Sequence, residues 1–195
     1  MIGFDIDGVV ADFNGIFRRV VLDEVGYDIN NSPQDQFKIV IPGMSDAEVF
    51  KLVCGTIRRF VYEMQPYPGT PYALWKLYSS TREPIRFVTA RRLITKEATE
   101  RWLKEYIVVP SEVAYVRSAD KCSYLKEHGF THFVDDRYRT VQQVKQCVPH
   151  TYLMNRPWNE GRVADGVYRI NDLNDYVTDY LQWRNINEQI NLSHT

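Results

Sequence analysis

The sequence predicts an α/β protein: a parallel sheet flanked by helices, with a small helical cap inserted after the first strand. Three observations predict it. Short apolar runs alternate with amphipathic segments of helix length, the pattern of parallel strands joined by helical crossovers. Acidic or hydroxyl residues recur where those runs end, at Asp5 and Asp7, at Thr89, and at Asp135 with Asp136. The alternation breaks once, between the first and second runs, where two helical segments follow each other without a strand. The chain thus divides into an α/β core, residues 1–13 and 66–195, and a helical cap, residues 14–65.

Taken in order, residues 1–6 form a short apolar run with carboxylates at its exit, a buried strand. Residues 11–27 place Ile16, Val20 and Val21 at helical spacing, with Gly26 near the end. Residues 28–43 are polar and irregular, broken by Pro33 and Pro42. Ser45 and Glu48 form a capping box for a helix reaching about Met64, with Val49, Leu52, Val53, Ile57, Phe60 and Val61 inward. A Pro-Gly-Thr-Pro turn at 68–71 starts the next helix, through Tyr78. Strands follow at 84–89, 112–116, 131–134 and 150–154, separated by helices at 95–106, 120–128 and 139–147. Residues 167–170 add an edge strand. Residues 172–183 close the fold as a helix with Leu173, Tyr176, Val177 and Tyr180 as its stripe, and the polar tail after Arg184 is expected to fray.

Composition excludes several classes. Hydrophobic residues are 44% and charged residues 25%, which rules out a disordered or low-complexity chain. Lysine plus arginine is 24 against 25 aspartate plus glutamate, so a net charge of -1 gives no bulk field for nucleic acid. No apolar run is long enough to span a bilayer, which predicts no membrane partner, and the opening residues carry no basic leader. Three widely spaced cysteines, Cys54, Cys122 and Cys147, argue against a disulfide framework or a zinc site and for a cytoplasmic, reducing home. The four histidines show no metal-ligand spacing. The aromatic-rich stretch of Phe50, Phe60, Tyr62, Tyr67, Tyr72, Trp75 and Tyr78 reads mostly as core.

Asp5 and Asp7 lie two residues apart just past a strand, so both carboxylates face one space and repel unless a cation or a proton intervenes. That suits a magnesium-assisted reaction on a phosphate: one aspartate attacks phosphorus, and the other protonates the leaving oxygen and later activates water. Gly8 lets the chain turn away tightly. Thr89 offers a hydroxyl to a phosphate oxygen, although alone it reads as a turn residue. Lys121 offers charge compensation, although alone it reads as a solvated lysine. Asp135 and Asp136 at a strand exit suit an oxygen-preferring cation, or equally an acidic helix start. Arg91 and Arg92 read as a solvated pair.

The joint order, DxDG, then Thr, then Lys, then an acidic pair, resembles the haloacid dehalogenase-like (HAD) phosphohydrolases. The opening Asp5-Ile6-Asp7-Gly8-Val9-Val10-Ala11-Asp12-Phe13 looks like that of the 5'(3')-deoxyribonucleotidase family, as do Arg117-Ser118-Ala119-Asp120-Lys121 and Phe133-Val134-Asp135-Asp136-Arg137. Asn155-Arg156-Pro157-Trp158-Asn159 is similar to a loop after the last core strand in bacterial relatives. The resemblance implies a HAD-like Rossmannoid fold and a Mg2+-dependent phosphomonoesterase acting on (deoxy)ribonucleoside monophosphates. It makes Asp5 the nucleophile and Asp7 the general acid/base, the latter lending its carbonyl to the metal. Asp5 and one of Asp135 or Asp136 become carboxylate ligands, Thr89 and Lys121 hold the phosphate, and Phe13 faces the nucleoside.

Ala90 and Arg91 depart from that family, which places a second small hydroxyl residue after the threonine. The departure touches substrate choice more than reaction class, and keeps a sugar phosphate or a polynucleotide 3'-phosphate as the alternative. Near-neutral charge argues against a long nucleic-acid substrate. A receiver domain shares an acidic pair, Thr and Lys on such a sheet, but its order of motifs differs and it lacks the inserted helices.

Overall fold

A computed structural model describes residues 1–29, 39–162 and 165–192. Six parallel strands form one sheet: β1 (Ile2–Phe4), β2 (Ile85–Thr89), β3 (Ser111–Tyr115), β4 (His132–Asp135), β5 (His150–Met154) and β6 (Val167–Ile170), in spatial order β3-β2-β1-β4-β5-β6. The chain runs outward from β1 to β3 on one side, then returns to lay β4 on the other. That reversal opens a crevice between the carboxyl ends of β1 and β4. Neighbouring side chains point to opposite faces: Phe87 and Val134 enter the larger core, Val88 and Phe133 the smaller one. Both faces are therefore covered, which is why these strands read as continuous apolar runs.

Seven helices complete the fold: α1 (Phe13–Val25), α2 (Asp46–Arg59), α3 (Thr70–Thr81), α4 (Lys96–Tyr106), α5 (Lys121–Glu127), α6 (Tyr138–Val144) and α7 (Leu173–Leu192). The expected capping box forms, Ser45 Oγ accepting from the Glu48 N–H while the Glu48 carboxylate accepts from the Ser45 N–H. The Asp12 side chain caps α1 by accepting from the Gly15 N–H at 2.9 Å. As expected, α1 and α2 interrupt the alternation between β1 and β2. Their link to the core is a short antiparallel bridge, Ala11 to Pro66, with the Asp12 N–H donating to the Gln65 carbonyl at 2.9 Å. The Trp102 indole N–H, from α4, holds the Met64 carbonyl at 2.6 Å.

Five expectations change. The helix capped by Ser45 ends at Arg59 rather than near Met64. The first strand stops at Phe4, because Ile6 to Ala11 curl into a turn in which the Val10 and Ala11 N–H groups both donate to the Ile6 carbonyl. The last helix continues to Leu192 rather than ending near Trp183. Of the seven aromatics expected mostly in the core, none is fully buried: Phe60 and Tyr78 pack against the larger core, Phe50 lines a cavity, and Tyr72 and Trp75 stack on each other on the outer side of α3. Cys122 and Cys147 are disulfide-bonded, their Cα atoms 5.9 Å apart, while Cys54 is free and buried. Wide spacing hid that pair because the sheet brings α5 against α6, and the cysteines no longer argue for a reducing compartment. Most of the irregular stretch expected at 28–43, Pro33 included, lies outside the described residues. Among those described, no helix is long and apolar enough to cross a membrane.

His132 is buried in β4, stacked on His150 at 4.4 Å and faced edge-on by Tyr180 and Trp183. Burial, aided by His150, pushes its pKa down to about 3. The folded chain then refuses a proton that the unfolded chain accepts near pH 6.5, so this histidine favours folding above that pH and the benefit fades as pH falls towards 3. Urea denaturation of wild type and His132→Phe at about pH 7.5 and about pH 5, on either side of the ordinary histidine pKa, tests this. The variant should lose less stability on acidification than wild type, and equal losses would refute the assignment.

Candidate active site

The crevice between β1 and β4 gathers residues that are far apart in sequence. Asp5 directly follows β1, its N–H donating to the Val134 carbonyl at 2.9 Å, and its carboxylate is buried. Asp135 ends β4 and is fully buried, with Asp136 beside it. Oxygens of Asp5, Asp135 and Asp136 lie within 4.8 Å of one another. Lys121, the first residue of α5, sends a buried ammonium into this group, 2.7 Å from Asp135 Oδ2 and 3.1 Å from Asp5 Oδ2. Thr89 closes β2 on the neighbouring exit, buried, its Oγ1 accepting from the Arg91 N–H at 3.2 Å.

One lysine does not balance three carboxylates. Two like charges about 4 Å apart repel by roughly 4 kcal/mol at an effective dielectric near 20, so the site favours a cation or a proton. The titration behaviour agrees. Burial raises the Asp5 pKa to about 6 against the pull of Lys121, with Asp135 and Asp7 adding to the rise. Burial, then Asp135 and Asp5, raise Asp136 well above the usual carboxylate range. Burial also works against the Lys121 ammonium, but Asp135 and Asp5 outweigh it and its pKa rises. Asp5 Oδ1 is buried without a hydrogen-bond partner among the described residues. Asp135 has both oxygens engaged, Oδ2 with Lys121 and Oδ1 with the Arg137 N–H at 2.9 Å. Asp136 uses Oδ2, which accepts from the Trp158 indole N–H at 2.8 Å.

Asp7 shares the crevice, but its carboxylate stands outside the three-carboxylate group. Arg91 grips it with two bonds, Nη2 to Oδ1 at 2.6 Å and Nε to Oδ2 at 2.9 Å. Arg91 is buried, not solvated as its sequence neighbourhood suggests, and it also donates to Thr99 Oγ1 at 3.1 Å. Arg92 is the exposed member of the pair, its guanidinium 5.4 Å from the Phe50 ring of α2. Gly8 adopts φ +76°, and a Cβ there would sit 2.1 Å from Asp136 Oδ2, so both the turn and the acidic neighbour require glycine.

A cavity of about 730 Å³ extends from these carboxylates to the inserted helices. Asp5, Asp7, Thr89 and Asp136 border its floor, and Phe13, Phe50, Val49, Val53 and Ile57 build an apolar wall. Phe13 lies against Phe17 with ring centroids 5.2 Å apart while lining the cavity, so it serves core and pocket together. The structure thus brings Asp5, Asp7, Phe13, Thr89 and Asp136 to one cavity, with Lys121 and Asp135 directly beneath. Sequence reasoning missed Arg91, Trp158, Asn159 and Arg156. The loop holding the last three was visible as a motif, but nothing local disclosed what it touches.

The fold that carries this cavity is a known architecture. The chain has a HAD-like α/β fold. It superposes on a haloacid dehalogenase-like hydrolase of Burkholderia xenovorans LB400 with a TM-score of 0.59 at 13% identity, covering 93% of this chain and 96% of that one. A HAD-superfamily hydrolase of Geobacter sulfurreducens PCA gives 0.56 at 16% identity over 91% and 97% of the two chains. A phosphoserine phosphatase of T. onnurineus gives 0.54 at 15% over 91% and 92%. No protein-family model and no curated protein sequence matches this chain.

Two substitutions probe the site's construction. Arg91→Met should destabilise the fold by about 1–3 kcal/mol, because it leaves buried Thr99 and half-buried Asp7 without their partner. Gly8→Ala should cost about 1–3 kcal/mol through its positive φ alone, before Asp136 is displaced. Chemical denaturation measures both, and a change under about 0.5 kcal/mol in either, the size expected of an ordinary surface substitution, would contradict this arrangement of side chains.

Proposed function

We propose that this chain is a Mg2+-dependent phosphomonoesterase that hydrolyses (deoxy)ribonucleoside monophosphates through an aspartyl-phosphate, with residues 14–65 as its cap. The observation that carries the reading is the Asp5 carboxylate. It is buried, held by Lys121 through one oxygen, unpartnered at the other, and grouped with two further carboxylates. An all-oxygen, net-negative donor set suits a hard cation such as Mg2+. Asp5 and Asp136 would hold it with their carboxylates, joined by the Asp7 carbonyl, while Asp135 is spent on Lys121 and the Arg137 N–H. When bound, Mg2+ supplies positive charge that offsets the carboxylates and polarises a phosphoryl oxygen.

The chain's own residues then divide the work. An Asp5 oxygen attacks phosphorus, the ester P–O bond breaks, and its electron pair leaves on the alcohol oxygen. Asp7 gives that oxygen a proton, which it can carry only once one of its oxygens leaves the grip of Arg91. Asp7 next takes a proton from a water molecule, the resulting hydroxide attacks phosphorus, and the Asp5–phosphorus bond breaks to release inorganic phosphate. Arg91 keeps Asp7 aimed at the crevice. Lys121 spends two donors on Asp135 and Asp5 and has a third for a phosphoryl oxygen. The Thr89 hydroxyl accepts from Arg91 and keeps its own hydrogen for the phosphate.

The apolar wall supports a nucleoside over a bare sugar, since Phe13, Phe50 and their aliphatic neighbours match the face of a base. A polynucleotide 3'-phosphate keeps one observation in its favour: Arg92, Arg137, Arg139 and Arg162 also line the cavity. The phosphoserine phosphatase among the structural neighbours supports phosphate ester chemistry in general terms.

Phosphate release from 5'- and 3'-nucleoside monophosphates, sugar phosphates and 3'-phosphorylated oligonucleotides separates these readings. Nucleotides should be the better substrates, chelation should abolish release, and Mg2+ should restore it. Turnover of sugar phosphates alone would overturn the nucleotide assignment. Asp5→Asn should be inactive, and Lys121→Ala should lose about 100- to 1,000-fold in kcat. Retained turnover in Asp5→Asn would eliminate the covalent route.

A further inference from the structure

The loop after β5 does more than connect it to β6. Asn159 is buried, and its amide is fully used: Nδ2 donates to the Met154 carbonyl at 2.8 Å and the Asp136 carbonyl at 2.7 Å, while Oδ1 accepts from the Arg156 N–H at 3.3 Å and Arg169 Nη2 at 2.9 Å. The short 3-10 turn Pro157–Asn159 is thereby pinned between the exits of β4 and β5. Arg156 reaches the other side of the crevice. Its Nε donates to the Gly8 carbonyl at 2.7 Å, and its guanidinium lies 3.7 Å from the centre of the Tyr67 ring. The same loop therefore grips the Asp136 backbone and the turn that follows Asp5.

Between those two anchors stands Trp158. Its indole N–H meets Asp136 Oδ2 at 2.8 Å, and that same oxygen fills the space a Gly8 side chain would take. The Asp136 carboxylate is fixed on two sides, by a donor from the loop and by the bare backbone of Gly8. Both contacts fall on Oδ2, so Oδ1 is the oxygen that neither of them occupies.

We propose that Trp158 is a positioning residue for divalent-cation binding: its indole N–H ties down one oxygen of Asp136 so that the other is presented to the carboxylate cluster. The proposal rests on the reading of Asp136 as a metal ligand. Carboxylates that ligate metals are oriented by such outer hydrogen bonds, and losing one weakens binding by about 10- to 100-fold. Trp158 is not a catalytic residue, because it meets the cation only through Asp136.

The test needs no substrate. Mn2+ alone is titrated into the full chain, and the free ion is followed by electron paramagnetic resonance. Trp158→Phe should raise the dissociation constant about 10- to 100-fold. Trp75→Phe, on the outer side of α3, should leave it unchanged, and Asp136→Asn should raise it at least as far as Trp158→Phe. An unchanged constant in Trp158→Phe, with Asp136→Asn impaired, overturns the proposal and leaves the proposed function standing. Failure of wild type to bind Mn2+ overturns the proposed function itself. If Trp158→Phe does not fold, benzothienylalanine at position 158 replaces the N–H with sulfur at nearly constant shape. Weakened binding there supports the role of the hydrogen bond, and retained binding refutes it.

Discussion

Three carboxylates and one ammonium, buried together, set the terms for the rest of this molecule. Asp5, Asp135 and Asp136 crowd within 4.8 Å, and Lys121 answers only part of their charge. In water such a group would be harmless. Beneath a covered sheet it is costly, and the cost is borne by the cores around it: Phe4, Phe87 and Val134 on one side, Val88 and Phe133 on the other. The raised pKa values of Asp5 and Asp136 express that imbalance. A site assembled against its own electrostatics makes sense as a receptor for positive charge.

Topology explains why the acids meet at this point. β1 is the central strand on which the chain reverses direction, so its exit adjoins both β2 and β4. Asp5, Thr89 and Asp135 occupy those three adjacent exits, and α5 delivers Lys121 from below. Alternation of strands and helices predicts a parallel sheet covered by helices, while the order of its strands, which makes these exits neighbours, is seen only in the structure. The candidate site residues are legible in the sequence because each sits at or just past a strand end or at the first residue of a helix, positions that local patterning marks.

What sequence patterning missed shares the opposite property. Arg91 lies 84 residues from the Asp7 that it clasps, and Trp158 lies 22 residues from Asp136. Both join neighbouring strand exits laterally, across the sheet, where no periodicity along the chain carries information. Arg91 sits beside the exposed Arg92, and composition alone makes the two look alike. The difference arises because position 91 follows the Thr89 turn inward, towards Thr99 and Met64. The disulfide between Cys122 and Cys147 is hidden likewise, since only the packing of α5 against α6 brings those residues together. The aromatics of the 50–78 stretch mislead in the other direction: their helical spacing predicts burial, yet Tyr72 and Trp75 cover each other instead of entering the core.

The cavity separates two kinds of work by material. Its floor, drawn from strand exits, is polar, and backbone pairing between β1, β2 and β4 sets the spacing of the exits that carry it. Its far wall, drawn from α1 and α2, is apolar and rests on side-chain packing and the short Ala11–Pro66 bridge. Floor geometry tolerates little change, since a shift of about one ångström takes a hydrogen bond such as that of Lys121 to Asp135 out of range. Wall geometry tolerates much more, since apolar side chains of similar volume substitute at modest cost.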